Sequence, residues 1–183
     1  MCVVWSGTAG RAIVESMRFS RDEFGDLAAR FKTSIGHLPP PVAVEAFASL
    51  LGKERLNDPI GEVFPTDEEG TVWVLTGITD RSLIHVRVSS VLNGWSWQNL
   101  GTVDERQGKD LAATLWPLTA LRSLTVDRVI DTAGRSDGPF EWDTNWVVTL
   151  SGGDTVSIPS NDSTNREDRK RVDSLMAAIR QYL

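Results

Sequence analysis

The end of the chain carries the pattern that most restricts the fold. Residues 140–150 alternate apolar and polar side chains, and a period of two is typical of a strand with one buried face. Gly152 and Gly153 follow, and glycine readily takes the positive φ values of a tight reversal. Residues 155–159 then return as a second strand. The order predicts a β-hairpin, whose first strand carries on its apolar face Phe140, Trp142, Thr144, Trp146, Val148 and Leu150.

An amphipathic helix is predicted after this hairpin. Thr164 and Glu167 match a capping box, in which each side chain satisfies an exposed backbone N–H at the start of a helix. Apolar residues then recur every three to four positions, so they form one stripe. The stripe consists of Val172, Leu175, Met176, Ile179 and Leu183. We expect this helix to close a core, with Trp142 and Trp146 inside it.

Two further helices are predicted near the start of the chain. The first begins at the capping box of Ser20 and Glu23 and ends at Gly36, and its apolar stripe needs a partner. The prolines at 39–41 break the chain and suit the first turn of the second helix, which ends near Gly52. The two stripes consist of Phe24, Leu27, Ala28, Phe31 and Ile35, and of Val44, Phe47, Leu50 and Leu51.

The pattern divides the chain into four segments. Residues 1–16 show no clear period and are interpreted as a weakly ordered leader, with a short edge strand as the alternative. Residues 17–56 form the predicted helical hairpin. Residues 57–70 are rich in turn-forming and acidic residues, which favours a connector. Residues 71–183 then change from a helical period to a period of two and form the second domain.

Two β-rich runs open the second domain. Residues 72–78 and 83–92 flank the polar turn 79–82, so they are predicted to form an antiparallel hairpin. In the second run the apolar side chains of Ile84, Val86 and Val88 point to one face. The opposite face carries His85, Arg87 and Ser89.

The middle of the second domain is predicted to continue as short strands. Residues 95–103 follow an Asn-Gly turn signal and form a candidate strand, and polar residues 104–110 form a loop. Within residues 115–124, leucines spaced by three indicate one helical turn. That turn leads into a strand over residues 125–132.

Several stretches of residues 71–183 resemble a pleckstrin-homology-like domain of the bacterial type. They are Leu83-Ile84-His85-Val86, Trp116-Pro117-Leu118-Thr119-Ala120-Leu121, Val147-Val148-Thr149-Leu150-Ser151-Gly152-Gly153 and Ala177-Ala178-Ile179. The resemblance implies an α+β fold in which a barrel or sandwich of about seven antiparallel strands is closed by the C-terminal helix. The helical hairpin precedes this barrel.

The resemblance also bears on the ligand. Family members that bind inositol phosphates use several lysines and arginines around the first hairpin loop, because the headgroup carries several charges. The loop between the first two predicted strands offers only Arg81, beside Asp80. This departure disfavours a phosphoinositide-type lipid and favours a protein or peptide, which such domains bind at an open sheet edge or beside the C-terminal helix.

Composition excludes several other classes. The net charge of −6 at pH 7 disfavours a general nucleic-acid surface, since such partners call for a basic excess. The single cysteine, Cys2, rules out an intrachain disulfide and a thiolate cluster. No secretory signal or membrane span is recognisable, so a cytoplasmic location is expected.

No cofactor, metal or catalytic motif stands out. Neither His37 nor His85 has a metal-ligand spacing to another histidine, cysteine or carboxylate. Residues 6–11 contain glycines but lack the lysine of a phosphate-binding loop. The paired carboxylates of predicted strands 125–132 and 140–150 fit solvated strand faces.

The candidate partner-binding residues are Trp95, Trp97, His85 and Arg87. The two tryptophans share one face of a short segment, and they are a binding hot spot if exposed and core if buried. His85 and Arg87 share a strand face and form a candidate anion-binding patch. We therefore expect a non-enzymatic protein- or peptide-binding module. The alternatives are a small-ligand or membrane-surface module that uses the barrel mouth and, third, a hydrolase.

Overall fold

The protein has an α+β fold, as predicted, with three helices and two antiparallel sheets in the described part of the chain. The computed structural model describes residues 19–31, 38–65, 71–90, 109–131, 142–158 and 166–183. The helices are α1 (Arg21–Arg30), α2 (Pro41–Leu51) and α3 (Arg166–Arg180). The strands are β1 (Asn57–Pro65), β2 (Thr71–Ile78), β3 (Ser82–Ser90), β4 (Lys109–Pro117), β5 (Leu121–Asp131), β6 (Trp142–Leu150) and β7 (Thr155–Ile158).

Both sheets are meanders in which sequence neighbours pair. One sheet has the order β1-β2-β3-β4 and the other the order β5-β6-β7. No pairing between the two sheets closes a barrel within the described residues. The predicted hairpin of residues 72–78 and 83–92 is confirmed by the β2–β3 ladder, and the predicted hairpin of residues 140–159 by the β6–β7 ladder.

The helical hairpin packs on one face of the four-stranded sheet. Phe31 of the first helical stripe and Phe47 of the second are fully buried, with ring centroids 4.6 Å apart in an edge-to-face contact. Trp73 and Val86 belong to the same core, so the sheet supplies the partner that the two stripes need. The buried helical members of this core are Leu27, Ala28, Phe31, Ala43, Val44, Phe47, Ala48 and Leu51.

Helix α1 starts as predicted but ends early. The Ser20 N–H donates to Glu23 Oε2 at 2.7 Å and the Glu23 N–H donates to Ser20 Oγ at 3.2 Å, which completes the capping box. The helix ends at Arg30 with Phe31 as its C-cap, before the predicted end at Gly36. At this end of the helix the Phe31 carbonyl lies against Gly61 of β1, so the C-cap is in contact with the four-stranded sheet.

The first part of the predicted connector is a strand. Residues 57–65 pair with β2, so the connector assignment is wrong there. Composition misled the prediction, because Pro59 sits in a register irregularity between Asn57 and Ile60, where a missing backbone N–H is tolerated. Strand β4 likewise begins at Lys109, inside the predicted loop 104–110.

The predicted helical turn within residues 115–124 is confirmed. A 3-10 turn covers Leu118–Ala120 and joins β4 to β5, so it links the two sheets. The Leu118 N–H donates to the Arg81 carbonyl at 2.7 Å, which ties this link to the β2–β3 turn. The predicted leader 1–16 and the candidate strand 95–103 lie outside the described residues.

A second core joins α3 to both sheets. Four of the five residues of the predicted stripe are buried, and Leu183, the fifth, is 52% exposed beyond the end of the helix. Trp146 is half-buried and packs against this core; Trp142 is not described at the side-chain level. The buried sheet residues are Ile60, Ile78, Leu83, Leu121, Val148, Leu150, Val156 and Ile158.

Gly61 supplies a test of how closely β1 must approach α1. A β-carbon at Gly61 would overlap the Phe31 carbonyl oxygen, so Gly61→Ala is expected to lower the free energy of unfolding by about 1–3 kcal/mol through overpacking. Urea denaturation followed by circular dichroism measures this change. Gly25→Ala is the matched control, because no heavy atom lies within 4 Å of its added β-carbon.

In the exposed helical position of Gly25, alanine is expected to raise the free energy of unfolding by about 0.5–1 kcal/mol. Equal effects of the two substitutions would contradict the close approach of β1 and α1.

Candidate binding site

The four-stranded sheet has a second face, called here the inner face, which is turned away from α1 and α2. Ile60, Ile78 and Leu83 on this face belong to the core shared with α3 and the three-stranded sheet. Beyond that core the inner face is mixed, because strand alternation places charged and hydroxyl side chains there beside apolar ones such as Val74. Its polar members include Glu62, Thr76, His85 and Arg87.

Strand register fixes how these residues are arranged. Thr76 of β2 lies opposite His85 of β3, and Val74 lies between Glu62 of β1 and Arg87 of β3. Glu62 and Thr76 are 2% and 1% exposed, His85 is half-buried, and Arg87 is exposed. The exposure of these four polar side chains therefore increases from β1 and β2 to β3.

His85 is held as a neutral imidazole. Its Nδ1 lies 3.0 Å from the Thr76 hydroxyl oxygen. Burial, and secondarily the positive charge of Arg87, lowers the pKa of His85 to about 4. At neutral pH the predicted anion patch therefore has the charge of Arg87 alone. The Thr76 hydroxyl is too deeply buried to serve as an accessible nucleophile.

Glu62 is the most unusual group on this face. Neither carboxyl oxygen has a hydrogen-bond partner among the described residues, although a buried polar atom usually has one. Burial raises the pKa of Glu62 to about 8, so the carboxyl is protonated at pH 7. The inner face thus offers a carboxylic acid, a hydroxyl and a neutral imidazole, which are groups suited to hydrogen bonding rather than to holding a cation.

The three-stranded sheet also extends beyond the shared core. Val126 of β5 pairs with Trp146, and after a bulge Val129 pairs with Thr144, so both valines lie on the face of Trp146. Val126 is 43% exposed and Val129 is 52% exposed. The Arg180 guanidinium of α3 lies 5.0 Å from the centre of the Trp146 ring, which places the end of α3 beside this apolar patch.

Strand β5 is also an edge strand. It pairs with β6 on one side, and no other strand in the described part of the chain pairs with its second side. We call the unpaired side of β5, together with Val126 and Val129, the β5 edge. It combines free backbone hydrogen-bonding groups with exposed apolar side chains.

The structure describes two of the four predicted site residues. His85 and Arg87 lie on one face, two residues apart, as strand alternation requires. Trp95 and Trp97 lie outside the described residues. Sequence reasoning missed Glu62, because it had been assigned to the connector, although its place two residues after Ile60 is a strand signal. It also missed the two valines of the β5 edge, because a bulge replaces the period of two by a spacing of three.

The chain matches no protein-family model, no curated protein and no solved structure. Among the described residues, no group of three or more histidine, cysteine, aspartate or glutamate side chains is placed to hold a metal ion. None of the described helices is long and apolar enough to cross a membrane. The site must therefore be interpreted from its own geometry.

Glu62 gives the protein a specific dependence of stability on pH. Because its folded-state pKa of about 8 exceeds the ordinary 4.5, the folded state holds a proton that the unfolded state releases, and stability is lost as the pH rises. The pKa of His85 is about 4 in the folded state against an ordinary 6.5, so above pH 6.5 this side chain is mostly neutral in both states and contributes little. Between pH 6.5 and 8 the free energy of unfolding is expected to fall by about 1.5–2 kcal/mol.

Glu62→Gln is expected to abolish this decline, since the amide does not ionise, and to make the variant more stable than the wild type at pH 8. Urea denaturation at a series of pH values measures both slopes. The exposed Glu45→Gln variant should keep the wild-type slope. Parallel curves for wild type and Glu62→Gln would contradict the buried, protonated carboxyl.

Proposed function

We propose that this protein is a non-enzymatic binding module, located in the cytoplasm, that takes an extended peptide segment of a partner protein at the β5 edge. One observation carries the proposal. The side of β5 that no described strand pairs lies next to two exposed valines, and these valines are on the sheet face that packs against the core. Addition of a strand to an open sheet edge is a general mode of peptide recognition. Main-chain hydrogen bonds supply affinity, and alternate side chains supply specificity.

The length of β5 suits this mode. The strand spans 11 residues, Leu121–Asp131, so its free side offers backbone donors and acceptors over a segment as long as a typical bound peptide strand. A peptide in that position would form a fourth strand beside β5. Every second side chain of the peptide would point to the face of Val126, Val129 and Trp146. Apolar side chains at those positions would extend the core and bury exposed valine surface.

The end of α3 supports the choice of β5 over β4, an edge strand of the four-stranded sheet. Arg180 lies over Trp146, so the apolar patch of β5 borders the C-terminal helix. The pleckstrin-homology-like resemblance implies two binding surfaces, an open sheet edge and the side of the C-terminal helix, and they coincide at β5. On β4 the exposed Leu111 and Leu115 lie on the sheet face that carries Ile84 and packs against the helical hairpin. That face is turned away from α3.

The charge of the β1–β2 connection favours a peptide over a phosphoinositide. With β1 at Asn57–Pro65 and β2 at Thr71–Ile78, the first hairpin connection is residues 66–70. Its sequence, Thr-Asp-Glu-Glu-Gly, holds three carboxylates and no lysine or arginine. In a pleckstrin-homology-like arrangement, which is part of the proposal, this connection occupies the position where lipid-binding members place their cations.

A small-ligand module is the second candidate function, and Glu62 is the observation that favours it. A buried carboxyl without a hydrogen-bond partner among the described residues is the kind of group that a polar ligand satisfies. Its oxygens are closed off by packing, so a ligand would have to displace protein atoms to reach them. The β5 edge needs no such rearrangement.

Peptide selection tests the proposal directly. A displayed library of random peptides is panned against the protein, and a selected peptide is titrated while backbone amide resonances are followed by NMR. The expected shifts concentrate on β5. Val129→Asp should weaken binding about tenfold or more, because a charge would then be buried against the apolar peptide side chain. Trp95→Ala and Trp97→Ala are titrated in parallel, and weaker binding would place those residues in the same surface.

Leu111→Asp is the matched control, since Leu111 is 45% exposed on β4, an edge strand of the four-stranded sheet, and should tolerate the charge without loss of binding. Shifts confined to β4, or equal affinity of Val129→Asp and wild type, would contradict binding at the β5 edge. Flotation with anionic vesicles that occurs without any peptide binding would favour a membrane surface as the partner.

A further inference from the structure

A separate pocket lies where the β2–β3 turn meets the segment that follows α2. Its volume is about 340 Å³, which is within the range of about 300–1,000 Å³ typical of small-molecule sites. The lining residues come from two stretches of chain that are far apart in sequence. They are Lys53, Glu54 and Arg55 on one side and Asp80 and Arg81 on the other.

The wall formed by the β2–β3 turn is held by hydrogen bonds on several sides. The Thr79 hydroxyl oxygen accepts from the backbone N–H groups of Arg81 and Ser82 at 3.2 and 2.9 Å. The Arg81 carbonyl accepts from the Leu118 N–H at 2.7 Å. The Tyr182 hydroxyl donates to the Asp80 carbonyl at 3.3 Å. The turn is therefore a preorganised support and not a free loop tip.

The two carboxylates of the pocket already have partners. The Thr79 hydroxyl donates to Glu54 Oε2, which also joins the two walls. Asn57 Nδ2 donates to Asp80 Oδ1 at 3.3 Å. One oxygen of each carboxylate is therefore already hydrogen-bonded within the protein.

The three cations of the pocket are in the opposite situation. Lys53, Arg55 and Arg81 are exposed, and none of their charged groups has a hydrogen-bond or ion-pair partner within the described residues. Three cations that line one cavity and have no partner among the described residues favour an anion with several acceptor atoms.

We propose that this pocket binds the phosphate of a small, soluble phosphomonoester. A phosphomonoester carries about −1.5 to −2 charges at pH 7 and three acceptor oxygens, which matches two guanidinium forks and one ammonium. A single carboxylate has two oxygens and leaves one cation unmatched. A polyphosphate adds negative charge that Glu54 and Asp80 repel. The remaining volume takes the organic group to which the phosphate is attached.

The test is a titration of the full chain with glycerol 3-phosphate and, separately, inorganic phosphate, followed by NMR. Saturable binding of glycerol 3-phosphate with a Kd of about 1 mM or below is expected, with shifts at residues 53–56 and 79–82. Arg55→Gln and Arg81→Gln should each weaken binding about tenfold, the effect of losing a charge-assisted hydrogen bond. Arg21→Gln removes an exposed arginine of α1, which belongs to neither proposed surface, and should leave the affinity unchanged.

Three results would overturn the proposal. The first is the absence of saturation up to about 10 mM glycerol 3-phosphate. The second is equal affinity of the pocket variants and the Arg21→Gln control. The third comes from vesicles that contain phosphatidic acid: flotation that is lost in Arg81→Gln, without binding of soluble phosphomonoesters, would assign the pocket to a lipid headgroup. Because all the substituted side chains are exposed, circular dichroism should confirm that each variant is folded.

Discussion

Burial of the four-stranded sheet on both of its faces is the constraint on which the rest of the structure depends. A single layer of helices would leave one apolar face in water, and the sequence carries apolar residues at both sets of alternating positions, such as Leu75 and Ile78. The helical hairpin covers one face, and α3 with the three-stranded sheet covers part of the other. The protein thus has two cores that share the four-stranded sheet. Removal of the helical hairpin, or of α3 with the three-stranded sheet, would expose one apolar face of that sheet.

Burial of the inner face has an energetic consequence at Glu62. A carboxyl that loses water and gains no hydrogen bond, as Glu62 does among the described residues, costs about 1–3 kcal/mol even in its neutral form. Such a cost is a sizeable fraction of the roughly 5–15 kcal/mol that stabilises a typical domain. Glu62 is 2% exposed, so its carboxyl stays buried in the folded state despite this cost.

The sequence predicted those elements whose pattern is local. The capping box of Ser20 and Glu23, the alternation around Val86 and the apolar stripe of α3 each depend on neighbouring residues, and the structure has all three elements. Strand β1 was not predicted, because the turn-forming residues at its start were given more weight than the alternation that follows them. The end of α1 at Arg30 was not predicted either, and it lies beside a contact between the Phe31 carbonyl and a glycine that is distant in the sequence.

The pocket illustrates the same limit for sites. Lys53, Arg55 and Arg81 are ordinary surface cations in the sequence, and only the fold brings two segments together around them. The last residues of the chain then connect this pocket to the β5 edge. Arg180 lies over Trp146 in the three-stranded sheet, and Tyr182, two residues on, donates to the β2–β3 turn of the four-stranded sheet. The two proposed surfaces share no residue, but the end of α3 supports both, so the position of that helix end determines the geometry of each.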